Sequence, residues 1–582
     1  MKTVLKKKSL VTRTALVLIA ISTLSVSVGF VRPSDTFFDI AKNIELLGKV
    51  YREIAMNYVD DVSVSEFMRA GIDGMLSTLD PYTVFMDEEQ SEDVDQLTTG
   101  KYAGIGVTIG SDREGGVVIM SITDGYSAQK AGMRIGDKLV KINGTDVRRK
   151  EVSEVRALIK GEPNTEVKIA VEREGDKQPI EFTLIRREIQ IKNVPFSGLI
   201  EEGIGYIKLE RFSLNAVEEV ASALRSIQDS AAMKNQTLQG VILDVRGNPG
   251  GLLDAAVNIA GKFVEQGSTI VTTKGRDSLK VKNYVSTAPP LLKDVPLAVL
   301  INGNSASASE IVAGAIQDLD RGIVVGTRSF GKGLVQTITR MPYNTSLKIT
   351  TAKYYTPSGR LIQEIDYFQR NKREGKRSVF TMESDTAHRA FKTKNGRTVY
   401  DGGGIAPDIT MPDRELSPLE AALYRKSMFF KFANQYQAKN PKAGNDFKAD
   451  DKVFNEFKAF LDKEKFDYES EAERKLQELI AVAAKNSYQD AVQKELADLR
   501  AVMSAEKEKD LTRQKDDILN ILEREILTRY KGDNAGLVAS FKLDEQLKEA
   551  IAVLRDKRRY GLFLAAGHSV GNPVTPKKPK RK

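Results

Sequence analysis

Short apolar strands alternate with amphipathic helices between about residues 191 and 412, and this alternation constrains the fold more than any other feature of the chain. Residues 204–209, 241–245, 296–301 and 323–325 are predicted strands, and 217–227, 253–263 and 307–317 are predicted helices. An apolar strand needs cover, and helices recurring between strands supply it, so the pattern predicts a layered α/β core.

The remaining sequence divides around that core. At 582 residues the chain is too long for one ordinary domain, and three or four are expected. After Pro33, Ile40, Ile44, Leu47, Tyr51, Ile54 and Tyr58 recur at steps of three and four, which predicts an amphipathic helix. A second helix over 64–79 stops at Asp80-Pro81, completing a helical segment at 34–99. Residues 100–187 change to glycine-punctuated strands at 117–122 and 167–171, a tight turn at Asn143-Gly144 and a short helix at 151–159. The core then occupies 188–412, with a charged surface insertion at 366–381. Past Pro412 strands vanish, and a helical domain is expected over 413–565. It opens at Ser417-Pro418-Leu419-Glu420, where a capping serine, an early proline and a glutamate make a helix start. Ile518, Leu522 and Ile526 share one stripe, without strict heptads. Residues 566–582 are compositionally unstructured.

The formal charge of +9 sits at the two ends. Lys2, Lys6, Lys7, Lys8 and Arg13 carry five charges, and Lys577, Lys578, Lys580, Arg581 and Lys582 carry five more. Removing both sets leaves −1, so a broad phosphate-binding face and nucleic-acid binding are not expected. Residues 1–33 look like an export signal: a basic start leads into an apolar stretch at 15–30, short of the roughly 20 residues of a comfortable membrane span. Cleavage and retention as an anchor both stay open, and the expected location is the cell envelope or periplasm. With no cysteine in the chain, disulfides, thiol catalysis and cysteine-bound zinc are excluded.

Two loops in the core carry chemistry. Asn304-Ser305-Ala306-Ser307-Ala308-Ser309-Glu310 joins a strand to a helix, and Ser329-Phe330-Gly331-Lys332-Gly333 follows the next strand. A serine needs a base to attack a carbonyl, and a lysine serves when neutral, which burial favours. Phe330, Leu334 and Val335 are the expected apolar cover. At a helix N-terminus Ser307 would gain from free N–H groups, with Ala308 as the first oxyanion donor. A second donor is expected from the turn Asp244-Val245-Arg246-Gly247-Asn248-Pro249-Gly250-Gly251, where Gly250 and Gly251 both qualify. Gln336 can orient the lysine without adding charge. Glu310 reads first as an early-turn charge satisfying the helix N-terminus, with contact to the active site as the alternative. Gly326 to Gly331-Lys332 imitates a phosphate loop, but Gly333 stands where that motif needs Ser or Thr. His388 and His568 read as surface residues, no cluster has metal-ligand spacing, and no cofactor or metal is expected.

Several separated motifs resemble the carboxyl-terminal processing proteases, the tail-specific S41 serine peptidases. They are Leu79-Asp80-Pro81-Tyr82-Thr83, Gly205-Tyr206-Ile207, Asp244 through Gly251, Ser305 through Glu310, Phe330 to Gly333 with Gln336, Tyr355-Thr356-Pro357-Ser358-Gly359, and Gly403-Gly404-Ile405-Ala406-Pro407-Asp408. The resemblance implies a crotonase-like core in an α+β / α/β multidomain chain. It implies Ser307 as nucleophile, Lys332 as general base and Gln336 as its partner, with Ser305 and Ser309 capping the helix. Ala131-Gly132-Met133-Arg134-Ile135-Gly136-Asp137 and Ile142-Asn143-Gly144 resemble a PDZ module inserted at 100–187. Tyr102, Ala103, Gly104, Ile105 and Gly106 would then hold a terminal carboxylate, and residues 105–109 would pair with an extended peptide.

The implied activity is an exported serine endopeptidase acting on C-terminal tails of unfolded or precursor envelope proteins. The helices beyond 413 carry no chemistry, and assembly into a homo-oligomer or partner docking is their expected use. Two rival readings are a non-catalytic PDZ scaffold that binds C-termini, and a crotonase-like enzyme acting on acyl thioesters. The intact set of Ser307, Lys332, Gln336 and Gly250-Gly251 argues against the scaffold, and the peptide-binding module argues against the thioester.

Overall fold

The computed structural model describes residues 34–112, 115–277, 281–365, 367, 389–442, 447–567 and 570. Residues 1–33, read above as an export signal, the 366–381 insertion apart from Tyr367, the basic tail beyond 570, His388 and His568 lie outside the described residues. The chain forms two units, residues 1–85 and 86–582.

In the first unit, helices Ser34–Asn57 and Val64–Leu76 meet where the Tyr51 ring stacks on Phe67 at 5.6 Å between centroids. The Tyr51 hydroxyl donates to the Val64 carbonyl at 2.8 Å. The second helix ends at Leu76, short of the predicted 79. Asp80 Oδ1 accepts the backbone N–H groups of Tyr82 and Thr83, and that turn redirects the chain.

The first part of the second unit is a small antiparallel module. Strands Val107–Ser111, Val117–Ile122, Lys138–Ile142, Glu166–Glu172 and Ile180–Ile185 lie in that spatial order. Asn143 (φ 48°) and Gly144 (φ 84°) make the hairpin turn after Lys138–Ile142, where positive φ at both positions matches the twist of the strands. Helix Val152–Ile159 closes the core over Ile119, Leu139, Val167 and Ile169. Strand Lys101–Gly104 pairs antiparallel with Arg187–Gln190 and ties the module's two ends together.

The central sheet runs Phe196–Glu201, Ile204–Lys208, Gly240–Asp244, Leu297–Ile301, Ile323–Gly326 and Ile409–Thr410. The first pair is antiparallel and the others are parallel. Alternate residues face opposite sides of a strand. Val241, Leu243, Val299 and Ile301 therefore pack on helices Ala216–Met233, Leu253–Ala260 and Ala308–Asp318. Tyr206, Ile242, Ala298 and Leu300 point the other way, onto Leu547, Ala550, Ile551 and Leu554 of helix Glu545–Arg555. The helical region thus serves two cores: its end covers the central sheet, while Phe429, Phe432, Phe457, Ile518, Leu522 and Ile526 form a core of their own. Helix Pro418–Arg425 begins with the anticipated capping box, Ser417 accepting from Glu420 N–H and Glu420 from Ser417 N–H.

Candidate active site

Three loops leave the carboxyl ends of three neighbouring parallel strands. Gly240–Asp244 feeds residues 245–251, Leu297–Ile301 feeds 302–307, and Ile323–Gly326 feeds 327–333. Parallel strands all end on one side of the sheet, so loops distant in sequence converge there. Ser305 Oγ donates to the Val245 carbonyl (2.8 Å), Ser309 Oγ to that of Asn248 (2.9 Å), and Phe330 N–H to that of Ser305 (3.0 Å). Ser305 and Ser309 therefore fasten the serine loop to the glycine-rich turn instead of capping the helix.

Ser307 is half-buried and holds φ at 54° and ψ at −112° as the residue preceding helix Ala308–Asp318. A positive φ in a non-glycine residue costs on the order of 1–3 kcal/mol, and such strain collects at functional sites. The Glu310 carboxylate restrains the bend. Its Oε2 accepts Ser307 N–H (2.8 Å) and Lys332 N–H (2.9 Å), while Oε1 accepts Ser329 Oγ–H (2.6 Å) and Gly331 N–H (2.7 Å). Burial pushes the Glu310 carboxyl up to about 7, against these four donors, which pull it down. Glu310 is thus more than a helix-end charge: it joins the serine loop to the lysine loop. Its place three residues into a helix after a serine was the only local signal. Tyr354, which no motif singled out as a site residue, adds a second tie, its hydroxyl lying 3.1 Å from the Ser307 carbonyl and 2.5 Å from that of Lys332.

The glycine-rich turn reaches the serine at one of the two expected glycines. A Cβ added to Gly250 (φ 105°) would lie 2.9 Å from Ser307 Cβ and 3.0 Å from the Ala308 nitrogen. A Cβ on Gly251 (φ 151°) would meet the Phe212 carbonyl oxygen at 2.5 Å. Gly250 thus lies against Ser307 and Ala308, and its own N–H donates to Asn248 Oδ1 at 2.9 Å. Gly251 packs on the Phe212 backbone, where Leu252 N–H donates to the Phe212 carbonyl.

Lys332 is half-buried. Leu334 is buried and Val335 packs on the main core, but Phe330 is 44% exposed. The Phe330 ring, with its backbone held to Ser305, is therefore not the buried cover expected of it. Gln336 lies beside a bulge in strand Leu334–Arg340, and its Nε2 donates to Thr350 Oγ1 at 3.3 Å.

A charged cluster roots the glycine-rich turn. Buried Asp244 accepts from Tyr206 Oη (2.7 Å) and pairs with Arg246 (2.7 Å) and Lys208 (3.3 Å). Burial works to raise the Asp244 carboxyl, but Arg246 and Lys208 outweigh it and hold it well below the usual carboxylate range. Arg246 also reaches Asp544 at 2.6 Å and Gln546 at 3.0 Å, so the end of the helical region grips the turn.

Away from the serine, a groove of about 980 Å³ runs between strand Val107–Ser111 and helix Val152–Ile159. Val107–Ser111 is the edge strand of its sheet, the place where an added peptide strand can pair. Tyr102, Gly104 and Ile105 line the groove. Ala103 and Gly106 do not: Ala103 pairs with Glu188 in the strand beneath, and Gly106 turns at φ 85° against Tyr126. The pairing strand begins at Val107 instead of 105 because Gly106, at φ 85°, leaves the extended conformation.

Comparison with known proteins agrees with this architecture. Residues 203–367 match peptidase family S41, 118–173 a PDZ domain, 419–554 the probable PDZ-protease C-terminal helical domain, and 30–90 the activating protease CtpB N-terminal domain. A carboxy-terminal-processing protease of Bartonella bacilliformis is 36% identical over 324 residues, covering 56% of this chain and 73% of the relative. The carboxy-terminal processing protease CtpB of Bacillus subtilis is 33% identical over 326 residues, covering 56% and 66%. The solved photosystem II D1 C-terminal processing protease is 25% identical, covers 63% of this chain and 92% of its own, and has a TM-score of 0.33. The chain therefore belongs to peptidase family S41, as a carboxy-terminal processing serine protease carrying a PDZ domain.

Proposed function

We propose that Ser307 and Lys332 form the catalytic dyad and that the enzyme cuts envelope proteins whose C-terminal tails occupy the PDZ groove. The observation that carries this reading is the shared carboxylate: Ser307 and Lys332 both donate backbone N–H groups to Glu310 Oε2. In the reaction, neutral Lys332 Nζ takes the proton as Ser307 Oγ bonds to the scissile carbonyl carbon. The oxyanion that develops is met by Ala308 N–H and by the turn at Gly250-Gly251. Collapse breaks the C–N bond, the leaving amine takes the proton from Lys332, and water then releases the acyl group from Ser307 by the same base. Gln336 is assigned to orient the lysine amine.

The same reading extends to location and assembly. Export through residues 1–33, as a cleaved leader or as an anchor, is supported by their basic start and apolar stretch. Among the described residues no helix is long and apolar enough to cross a membrane. Self-association through the C-terminal helices is supported by Leu479, Val482, Leu499 and Val502, all exposed on helices Glu471–Lys485 and Gln489–Lys507.

The test compares wild type, Ser307→Ala and Lys332→Ala on an unfolded protein with an apolar C-terminal tail. Both variants should lose turnover by at least about a thousandfold while still binding the tail. Equal turnover in all three would end the hydrolytic reading and leave the non-catalytic PDZ scaffold. Sedimentation of Leu479→Lys and Leu499→Lys against wild type tests assembly.

A further inference from the structure

Arg211 enters the PDZ groove from the protease core, two residues after the Leu209 N–H that donates to the Asp244 carbonyl. Its side chain is half-buried, its Nη1 is fully buried, and that nitrogen has no hydrogen-bond partner among the described residues. A guanidinium that lines an open groove with one nitrogen lacking an acceptor is placed to take an anionic ligand through the rest of its fork. The other charges lining the groove balance: Arg156, Lys160 and Lys192 against Asp124, Glu210 and Asp533. Arg211 is the excess.

Its position identifies the end of the groove. Arg211 lies close enough to Tyr102 to oppose the rise that burial causes in that phenol. The Tyr102 ring in turn covers Gly104, where an added Cβ would stand 2.9 Å from the ring carbon Cε2. Arg211 thus lines the same groove as Tyr102, Gly104 and Ile105 of the glycine loop that precedes strand Val107–Ser111, where the terminus of an added peptide strand would end. A guanidinium offers a planar fork that fits a carboxylate.

We infer that Arg211 binds the α-carboxylate of a protein tail seated in the PDZ groove, so that the tail is held by the PDZ module and the protease core together. This rests on the proposed reading of the groove as the tail-binding site. It gives a bound tail a direct grip on the catalytic half of the molecule. Arg211 adjoins Phe212, whose N–H approaches the Gly250 carbonyl (3.4 Å) and whose carbonyl accepts Leu252 N–H (2.7 Å). Arg211 is therefore a specificity and positioning residue, remote from the reacting bond.

The test uses full-length Ser307→Ala protein and fluorescein-labelled peptides ending in two alanines, one with a free α-carboxylate and one with an α-carboxamide. The carboxylate should bind roughly tenfold to a hundredfold more tightly, the scale of one charge-assisted hydrogen-bonded pair. Adding Arg211→Gln should shrink that preference to about threefold or less, and Arg211→Lys should restore part of it, which also guards against a merely misfolded glutamine variant. Arg211→Gln retaining the whole preference would overturn the assignment and leave tail recognition standing. A carboxamide peptide with a penultimate aspartate binding as tightly as the free carboxylate would also overturn it. Absence of binding by either peptide in the Ser307→Ala parent would sink the tail-recognition reading along with it.

Discussion

Ser307 and Lys332 meet through a single atom: both backbone N–H groups donate to Oε2 of Glu310, at 2.8 and 2.9 Å. The carboxylate is buried and not itself positioned as nucleophile or base in the proposed reaction. Its contribution is geometric, holding the strained serine and the lysine loop in one register.

Replacing Glu310 by glutamine turns one acceptor oxygen into a donor facing N–H groups. Each unsatisfied donor costs about 1–3 kcal/mol, so turnover should drop by roughly five- to a hundredfold with little change in tail binding. The pH dependence has a definite sign. The folded group holds its proton up to about pH 7 and an ordinary glutamate only to 4.5, so its stabilisation is full below 4.5 and is lost as pH rises through 7. Melting curves of wild type and Glu310→Gln should therefore separate differently at pH 4.5 and pH 8. Parallel pH dependences would show that Glu310 does not titrate in this window.

Tyr354→Phe removes the hydroxyl lying between the Ser307 and Lys332 carbonyls. A stability loss of about 0.5–1.5 kcal/mol is expected from one hydrogen bond. Steady-state kinetics should place the activity loss in kcat; a change confined to KM would assign the hydroxyl to substrate binding.

Gly250→Ala places a methyl 2.8–3.0 Å from Ala306 O, Ser307 Cβ and Ala308 N, at a φ of 105° that side chains rarely adopt. Acylation by an activated ester should slow by about a hundredfold or more, because the methyl displaces Ser307 and the Ala308 N–H assigned to the oxyanion. Gly251→Ala, clashing with the Phe212 backbone, should instead act mainly on stability, and urea midpoints of the two variants distinguish the cases.

Arg246→Met leaves Asp244 with Lys208, Tyr206 and the backbone N–H of residue 246 in a buried site. Breaking a buried pair from one side costs about 3–5 kcal/mol. Asp544→Asn should cost less, because Arg246 keeps Asp244, while loosening the grip of helix Glu545–Arg555 on the glycine-rich turn. Equal denaturation midpoints for Arg246→Met and wild type would remove this cluster from the account of stability.

Much of the fold was legible because its signals are local. The Asn143-Gly144 turn, the Ser417 capping box and the apolar runs of the central strands each lie within a few residues and appear where expected. Ends of elements were less legible: the second helix stops at Leu76, where the Asp80 turn competes with helix continuation. In the site, sequence singled out Ser307 and Lys332 but read Glu310 first as an ordinary helix-end charge and passed over Tyr354 and Arg211. A glutamate near a helix start looks the same whether it faces water or two distant loops. For the same reason Ala103 and Gly106 were grouped with Tyr102, although they do not line the groove.

The amino-acid order by itself determined the succession of strands, helices and tight turns, and the presence of a serine and a lysine in loops fit for hydrolysis. These follow from side-chain periodicity and turn chemistry, which act over short stretches of chain. Only the tertiary structure decided that three loops end on one side of the sheet, that one carboxylate receives donors from two of them, and that an arginine of the core stands in the groove of the PDZ module. Those contacts depend on parallel register and on packing between distant segments, which no local pattern encodes.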